Sequence, residues 1–232
     1  MTDRVDAYIQ ALHARTPFAF SRWGDGEWAC LLGRPGHNKA GMPYSAPLRE
    51  DLTAVLLSRP AYDLGLAQSV VHPTRLKRLS LRTEVPAWLD AHGLTLPWVD
   101  ADGLYRRSLA GTLVSFVAAL ASRQVILVGP TYFSGLRLFP VVGHIVVPPR
   151  MVHEHEIARL TRATLAALHD WPGSVVAVSA GMSANVLIDR VHVARRDATL
   201  IDCGSLWEPY LGRVVRKYHT AVVARLRAGA AA

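Results

Sequence analysis

The sequence predicts a Rossmann-like α/β fold, with a mostly parallel β-sheet flanked by helices. Short, continuous apolar runs at residues 124–128 and 174–179 are typical of strands buried on both faces of a parallel sheet. Such runs alternate along the chain with longer segments of helical periodicity, as in α/β proteins. The 232 residues, 50% of them hydrophobic, suffice for one core. We therefore expect a single domain over residues 1–232, with a short Ala/Gly tail at 228–232.

The first half is predicted to begin with a helix over residues 3–14, because Val5, Ile9 and Leu12 fall on one helical face. The apolar run at residues 17–21 predicts a buried strand, and residues 37–44, which contain Gly, Pro and Asn, predict a loop. Further helices are predicted over residues 26–32, 47–57, 75–92 with a break at Pro86, and 102–121.

The second half predicts four strands, at residues 124–128, 143–147, 174–179 and 198–201. Helices are predicted between them over residues 152–169 and from the turn at 180–181 to about residue 193. Because ligands of such sheets bind outside the carboxyl ends of the strands, we expect the segments that follow the strands to line one crevice. These segments are residues 24–27, 129–130, 179–181 and 202–204.

The chain is strongly basic, with a formal net charge of +8. Arginine carries this charge, since the lysines are only Lys39, Lys77 and Lys217. Such a surface favours anionic partners: nucleic acid, nucleotide phosphates or an anionic membrane. The base composition of a GC-rich genome explains an arginine-rich, lysine-poor chain equally well. The densest basic segment is residues 213–227.

Several classes of protein are excluded. Two cysteines, Cys30 and Cys203, are too few for a disulfide scaffold or a four-cysteine zinc site, and we expect buried free thiols. Without a long apolar run or a signal-like N-terminus, the sequence predicts a cytoplasmic protein that has no transmembrane helix. Dinucleotide-binding, P-loop and serine-nucleophile motifs are also missing.

The segment at residues 21–28 carries the most specific chemistry. Asp25 and Glu27 flank Gly26 just after a predicted strand, and such a turn can present two carboxylates to Mg²⁺ or Mn²⁺. Gly24 and Gly26 would let a ligand approach the backbone, and Arg22 could bind a phosphate through two hydrogen bonds. On spacing alone, a helix N-terminus explains the acidic residues equally well, because the helix dipole favours them there.

The run Arg22-Trp23-Gly24-Asp25-Gly26-Glu27 resembles the Arg-Phe-Gly-Asp-Gly-Glu signature of GT-D-type glycosyltransferases, with Trp23 in place of the usual Phe. The resemblance extends over about residues 15–212. It implies a GT-D-type fold in which Asp25 and Glu27 hold the Mn²⁺ or Mg²⁺ that binds the diphosphate of a nucleotide sugar, most simply a UDP-sugar. Weaker similarities lie at residues 38–44, 125–130, 178–181 and 200–205.

Other strand ends add candidate donor-binding residues. Backbone N–H groups at residues 179–181 could bind a phosphate or a ribose hydroxyl, although a tight strand–helix turn also needs a glycine there. Asp202 could bind a sugar hydroxyl or cap the helix predicted near Ser205. The candidate donor-binding residues are Arg22, Gly24, Gly26, Gly129, Pro130, Ser179, Ala180, Gly181 and Asp202.

His153 and Glu154 are candidate general bases, because they follow a strand and could border the crevice. They do not have the spacing of a zinc-protease helix. A solvated helix start is the favoured interpretation of this segment.

These observations support several hypotheses. The first is a metal-dependent glycosyltransferase whose acceptor hydroxyl lies on a glycan, a glycoprotein, a lipid-linked precursor or a hydroxymethylated DNA base. The basic charge suits DNA modification in particular, while a basic helix over residues 213–227 could instead bind an anionic membrane. The alternatives are a non-catalytic nucleic-acid-binding α/β domain and a metal-dependent phosphohydrolase.

Overall fold

The computed structural model describes residues 1–38, 41–72 and 79–230. The described residues form seven strands, β1 Ala19–Trp23, β2 Asp63–Leu66, β3 Val99–Asp100, β4 Val125–Pro130, β5 Val141–Val147, β6 Val175–Val178 and β7 Thr199–Asp202. They form ten α-helices, α1 Val5–Ala14, α2 Asp25–Leu31, α3 Ala46–Leu57, α4 Gln68–Val71, α5 Leu81–Ala91, α6 Gly103–Ala110, α7 Val114–Ala121, α8 His153–Asp170, α9 Ser183–Ala194 and α10 Lys217–Ala230.

The strands form one sheet in the order β3-β2-β1-β7-β6-β4-β5, and every pairing is parallel. The predicted α/β fold with a mostly parallel sheet is confirmed. The connection after β4 leads outward to the edge strand β5, whereas the connection after β6 leads the other way, to β7. The strand order therefore reverses between β4 and β6, which is where ligands bind in such sheets.

Helices cover both faces of the sheet, as the apolar strands require. Along β4, Val125 and Leu127 pack against a core that includes residues of α1 and α7, while Ile126 and Val128 pack on the opposite face against a core that includes α3, α8 and α9. This alternation follows from the two-residue period of a strand. No helix in the described part of the chain is long and apolar enough to cross a membrane.

Two short strands were not predicted from the sequence, and one predicted helix is wrong. β2 has four residues and β3 has two, so neither shows a recognisable hydrophobic period. The single helix predicted over residues 102–121 is two helices, α6 and α7. Gly111 separates them in a left-handed conformation, with φ of 81°, that ends α6.

The break predicted at Pro86 is also wrong, because α5 runs through this residue. A proline here removes the hydrogen bond to the carbonyl of Arg82, one turn earlier on an exposed part of the helix where water can replace it. Residues 75–78 of that predicted helix lie outside the described residues. The basic helix starts at Lys217 rather than at residue 213. The helix predicted near Ser205 is also wrong, because residues 204–207 form a turn that leads into a short 3₁₀-helix, Glu208–Leu211. The other predicted helices and strands are present, with ends shifted by one or two residues.

Gly65, on β2, leaves room for the Phe20 ring and for the backbone of Ala101. A Cβ atom added there would lie 2.6 Å from the Phe20 ring and 3.1 Å from the Cα of Ala101. We expect Gly65→Ala to destabilise the protein by about 1–3 kcal/mol, because ring and backbone must both move. Thermal unfolding checks this. Gly143→Ala, on β5, is the matched control, since its new Cβ meets atoms no nearer than 3.8 Å. An equal fall in melting temperature in both variants would contradict the prediction.

Candidate functional site

A cavity of about 1110 Å³ opens at the carboxyl edge of the sheet. Its walls come from the segments that follow β1, β4, β6 and β7, so residues far apart in the sequence meet there. Nine of the candidate residues named from the sequence line it: Arg22, Asp25, Gly26, Glu27, Pro130, Ser179, Ala180, Gly181 and Asp202. Gly24 and Gly129 belong to the backbone behind this surface and are not among the lining residues.

Arg22, near the end of β1, provides the positive charge of the cavity floor. Its Nη2 donates to Oδ1 of Asp102 at 2.9 Å, and its guanidinium lies 5.1 Å from the centre of the Tyr105 ring. Burial alone would lower the pKa of this guanidinium, but Tyr105, Asp102 and Glu27 more than offset burial and raise the pKa above its ordinary value. Arg22 therefore stays charged. Its buried Nε has no hydrogen-bond partner in the structure.

The N-terminus of α2 brings the two motif carboxylates to the floor. Glu27, in the first turn, accepts a hydrogen bond through Oε2 from the Gly24 N–H at 2.9 Å. Glu27 thus does cap the helix, which was one of the two interpretations of the motif. A side chain at position 24 would crowd the site, since a Cβ there would lie 2.9 Å from Arg22 Nη1 and 3.2 Å from Glu27 Oε2. Asp25 is half-buried, and its Oδ1 accepts from Ser69 Oγ at 3.3 Å.

Asp202, at the end of β7, adds a third carboxylate. It is only 5% exposed, and its two oxygens accept from the backbone N–H groups of Arg22 at 3.2 Å and Gly204 at 3.0 Å. Burial, with a contribution from the charge of Glu27, raises the pKa of Asp202 to about 7 although Arg22 opposes the shift. Burial and the charge of Asp25 likewise raise the pKa of Glu27. Carboxylates that repel one another in this way favour a bound cation or a proton.

The chemistry of these donors fits a small hard cation. Mg²⁺ and Mn²⁺ prefer carboxylate oxygens, and Mg²⁺ commonly takes one or two carboxylates together with water and phosphate oxygens. The described part of the chain contains no group of three or more His, Cys, Asp or Glu side chains arranged to hold a metal ion. One oxygen of Glu27 is also engaged by Gly24. A metal held by Asp25 and Glu27 would therefore need further ligand atoms from water or from a substrate.

The turn after β6 provides polar groups on the adjoining wall. The Ser179 N–H is not available to a ligand as the sequence suggested, because it donates to the carbonyl of Val128 at 2.7 Å. Its hydroxyl is buried, lines the cavity and has no hydrogen-bond partner in the structure. Gly181 adopts a left-handed conformation, with φ of 59°, and a Cβ there would lie 3.1 Å from Asn38 Nδ2. The hydroxyl of Ser179 is therefore a candidate ligand-binding group of this turn, beside the predicted N–H groups of Ala180 and Gly181.

His153 and Glu154 do not line the cavity. His153 is 1% exposed, and its two ring nitrogens lie 2.7 Å from Ser183 Oγ and from Asp51 Oδ2. These contacts join α8 to α9 and α3. Glu154 is exposed and accepts from Ser45 Oγ at 3.3 Å. The structure gives no support to either residue as a general base and indicates a structural role for His153.

Several cavity residues were not found from the sequence. Asp102 follows β3, which is too short to be predicted from the sequence. The sequence therefore contains no indication that Asp102 pairs with Arg22. Tyr132 and Glu208 also line the cavity. The Tyr132 hydroxyl donates to Glu208 Oε1 at 2.5 Å, and Nε of Arg213, which is not among the lining residues, lies 3.3 Å from Glu208 Oε2. Other lining residues that were missed are Ser69, Tyr105, Arg106, Met151, Arg216, Lys217 and Tyr218.

No family model matches the chain, and no curated protein matches it significantly. Solved structures share its fold. One, described as a new glycosyltransferase (DUF1792) from Streptococcus sanguinis, is 15% identical with a TM-score of 0.63, covering 89% of this chain and 81% of that chain. Another, described as the highly conserved domain of unknown function 1792 with a distinct glycosyltransferase fold, is 14% identical with a TM-score of 0.62, covering 89% and 78%. At these identities the likeness establishes the fold.

The structural role of His153 predicts a loss of stability when its ring is replaced. We expect His153→Phe to lower the free energy of unfolding by about 1–3 kcal/mol, because Asp51 and Ser183 lose a buried partner. Thermal unfolding measures this. His155→Phe is the matched control, because His155 is exposed on the same helical turn. An unchanged melting temperature in the His153 variant would rule the role out.

The raised pKa of Asp202 predicts a pH-dependent stability. An acid whose pKa is higher in the folded state binds more protons folded than unfolded, so its contribution falls as pH rises from about 4 to 7. Asp202→Asn removes this titration. We expect its melting temperature, relative to wild type, to rise by at least about 2–4 °C between pH 5 and pH 8 in metal-free buffer, which corresponds to about 1 kcal/mol.

Asp170→Asn, at the exposed end of α8, is the control for this series. It makes the same substitution at an exposed residue outside the cavity, so a pH-dependent difference of equal size in both variants would contradict the prediction. If the difference in melting temperature between Asp202→Asn and wild type does not change with pH, the raised pKa of Asp202 is contradicted.

Proposed function

We propose that the protein is a metal-dependent glycosyltransferase that transfers a sugar from a nucleotide-diphosphate sugar, in the first instance a UDP-sugar, to an acceptor hydroxyl. One observation carries the proposal: Asp25, Glu27 and Asp202 line the large cavity together with Arg22 at the carboxyl ends of adjacent strands, and the charge of Glu27 acts on both Arg22 and Asp202. The likeness to structures described as glycosyltransferases supports it.

The size of the cavity suits two substrates. Small-molecule sites usually have volumes of about 300–1,000 Å³, and the cavity of about 1110 Å³ slightly exceeds that range. A nucleotide sugar would occupy the region near β1, β6 and β7, and the remaining volume would admit the acceptor. Tyr132 and Glu208 also line the cavity and belong to the segments that follow β4 and β7 rather than β1.

Asp25 and Glu27 would hold Mn²⁺ or Mg²⁺, which when bound supplies positive charge for the leaving nucleoside diphosphate. The protein's own groups would fix the donor. Arg22, already held by Asp102, presents its Nε to a phosphate or sugar oxygen, and the Ser179 hydroxyl would bind a second oxygen of the ligand. Both groups are buried, so their hydrogen bonds to the donor would be stronger than in water.

Two other hypotheses explain less of the site. A non-catalytic nucleic-acid-binding domain leaves the acidic floor unexplained, because carboxylates repel phosphates unless a cation lies between them. A phosphohydrolase accounts for Asp25 and Glu27 but not for the volume beyond the donor. Both hypotheses are separated from a glycosyltransferase by assaying transfer to an acceptor against simple release of phosphate.

Asp25→Asn tests the proposal directly. We expect one nucleoside diphosphate to raise the melting temperature of the wild type by about 5–10 °C in the presence of Mn²⁺. A ligand at 100 times its Kd stabilises by about 2.7 kcal/mol, and each kcal/mol moves the melting temperature of a chain this size by about 2–4 °C. The shift should disappear without Mn²⁺ and in Asp25→Asn, because the amide is a poor metal ligand.

Glu154→Gln is the matched control, because it also replaces a carboxylate by an amide but lies outside the cavity. It should keep the full shift. If no nucleoside diphosphate shifts the melting temperature of the wild type, or if Asp25→Asn keeps the shift, the proposal fails.

A further inference from the structure

Exposed apolar side chains lie at the rim of the cavity, next to unpaired cations. Leu109, at the end of α6, is 45% exposed, and Val214 and Val215, just before α10, are 53% and 43% exposed. Arg216 and Lys217 follow directly in the chain. We call these five residues the rim surface.

Contacts between α6 and α10 bring the two parts of the rim surface together. The Tyr105 ring packs edge-on against the Tyr218 ring, with centroids 5.6 Å apart. Farther along the same pair of helices, Arg225 Nη2 donates to the carbonyl of Leu109 at 2.6 Å. Leu226, the next residue on α10, is 40% exposed. The apolar and basic groups thus lie on α6, on α10 and on the residues just before α10.

The rim surface continues into the cavity. Leu109, Val215, Arg216 and Lys217 all line it as well. Whatever covers the rim surface therefore lies at the entrance through which an acceptor must pass.

The charge of this surface is not neutralised within the described part of the chain, where neither Arg216 nor Lys217 forms an ion pair. Arg225 donates to the carbonyls of Ser108 and Leu109 rather than to a carboxylate. The whole chain carries a net charge of +8. A negatively charged partner is therefore attracted to the rim both locally and at longer range.

We propose that the rim surface docks on an anionic lipid bilayer, and that the acceptor is a lipid-borne hydroxyl presented to the cavity from that bilayer. The second half of this statement rests on the proposed function. Basic side chains near an anionic surface each contribute about 1 kcal/mol, and exposed valine and leucine side chains insert at the boundary between headgroups and acyl chains.

The apolar residues favour a bilayer over nucleic acid. A DNA backbone would pair with Arg216 and Lys217 but would leave Val214, Val215 and Leu109 against charged phosphates and water. A bilayer takes up both kinds of group, with the cations at the headgroups and the apolar side chains below them.

Co-sedimentation with lipid vesicles tests the docking without a donor or an acceptor. We expect the protein to bind vesicles of phosphatidylcholine with 30% phosphatidylglycerol, and to bind pure phosphatidylcholine weakly. The double variant Arg216→Gln/Lys217→Gln should bind the anionic vesicles about 25-fold more weakly, since each lost charge costs about fivefold. Val214→Ser/Val215→Ser should weaken binding about tenfold through lost apolar burial.

Val193→Ser/Arg196→Gln is the matched control. It removes an exposed valine and an exposed arginine near the end of α9, and we expect unchanged vesicle binding. The proposal is overturned if the wild type does not bind anionic vesicles, or if the valine variant binds like the wild type. It is also overturned if duplex DNA binds more tightly than the vesicles and only the charge variant weakens it.

The vesicle experiment and the nucleotide experiment fail separately. If vesicle binding depends on the rim surface but no nucleoside diphosphate raises the melting temperature, the docking proposal stands and the glycosyltransferase proposal fails. If a nucleoside diphosphate raises the melting temperature in the presence of Mn²⁺ but the protein does not bind vesicles, the glycosyltransferase proposal stands and the docking proposal fails.

Discussion

The cavity floor depends on the Arg22 guanidinium, which is surrounded by carboxylates from three strand ends. Its side chain binds Asp102 beyond β3, its charge offsets that of Glu27 after β1, and its backbone N–H binds Asp202 at the end of β7. Glu27 and Asp202 are buried, and a buried carboxylate without a compensating charge is costly, so the two together need such a cation. Arg22 therefore both joins the strands and permits the acidic character on which the proposed chemistry depends.

Glu27 combines the two roles considered for its motif, the capping of a helix and the supply of a carboxylate to the cavity. Its carboxylate caps α2 through Gly24, and its charge raises the pKa of Asp202 across the cavity. The position of the carboxylate is thereby fixed by the helix rather than by a ligand. A binding group held in this way loses little conformational freedom when a ligand arrives.

The sequence predicted the parts of the fold that are encoded locally. β4 and β6 are continuous apolar runs, and the segment from Arg22 to Glu27 carried enough pattern to place two carboxylates at a strand end. Pairings across the sheet had no such signal: β3 is too short to show a period, so the partner of Arg22 at Asp102 was missed. The role of His153 was also hidden, because its partners, Asp51 and Ser183, come from helices that only the folded chain brings near it.

The strand order also has a consequence for biosynthesis. β7, the last strand of the chain, lies in the middle of the sheet between β1 and β6, so that Phe20 pairs with Ile201. While the chain emerges from the ribosome, β1 and β6 each retain an open edge until residues 199–202 have been made. Open strand edges are templates for pairing with other chains. The nascent protein is therefore exposed to aggregation until β7 has been made, and the cavity floor closes only when this strand enters the sheet.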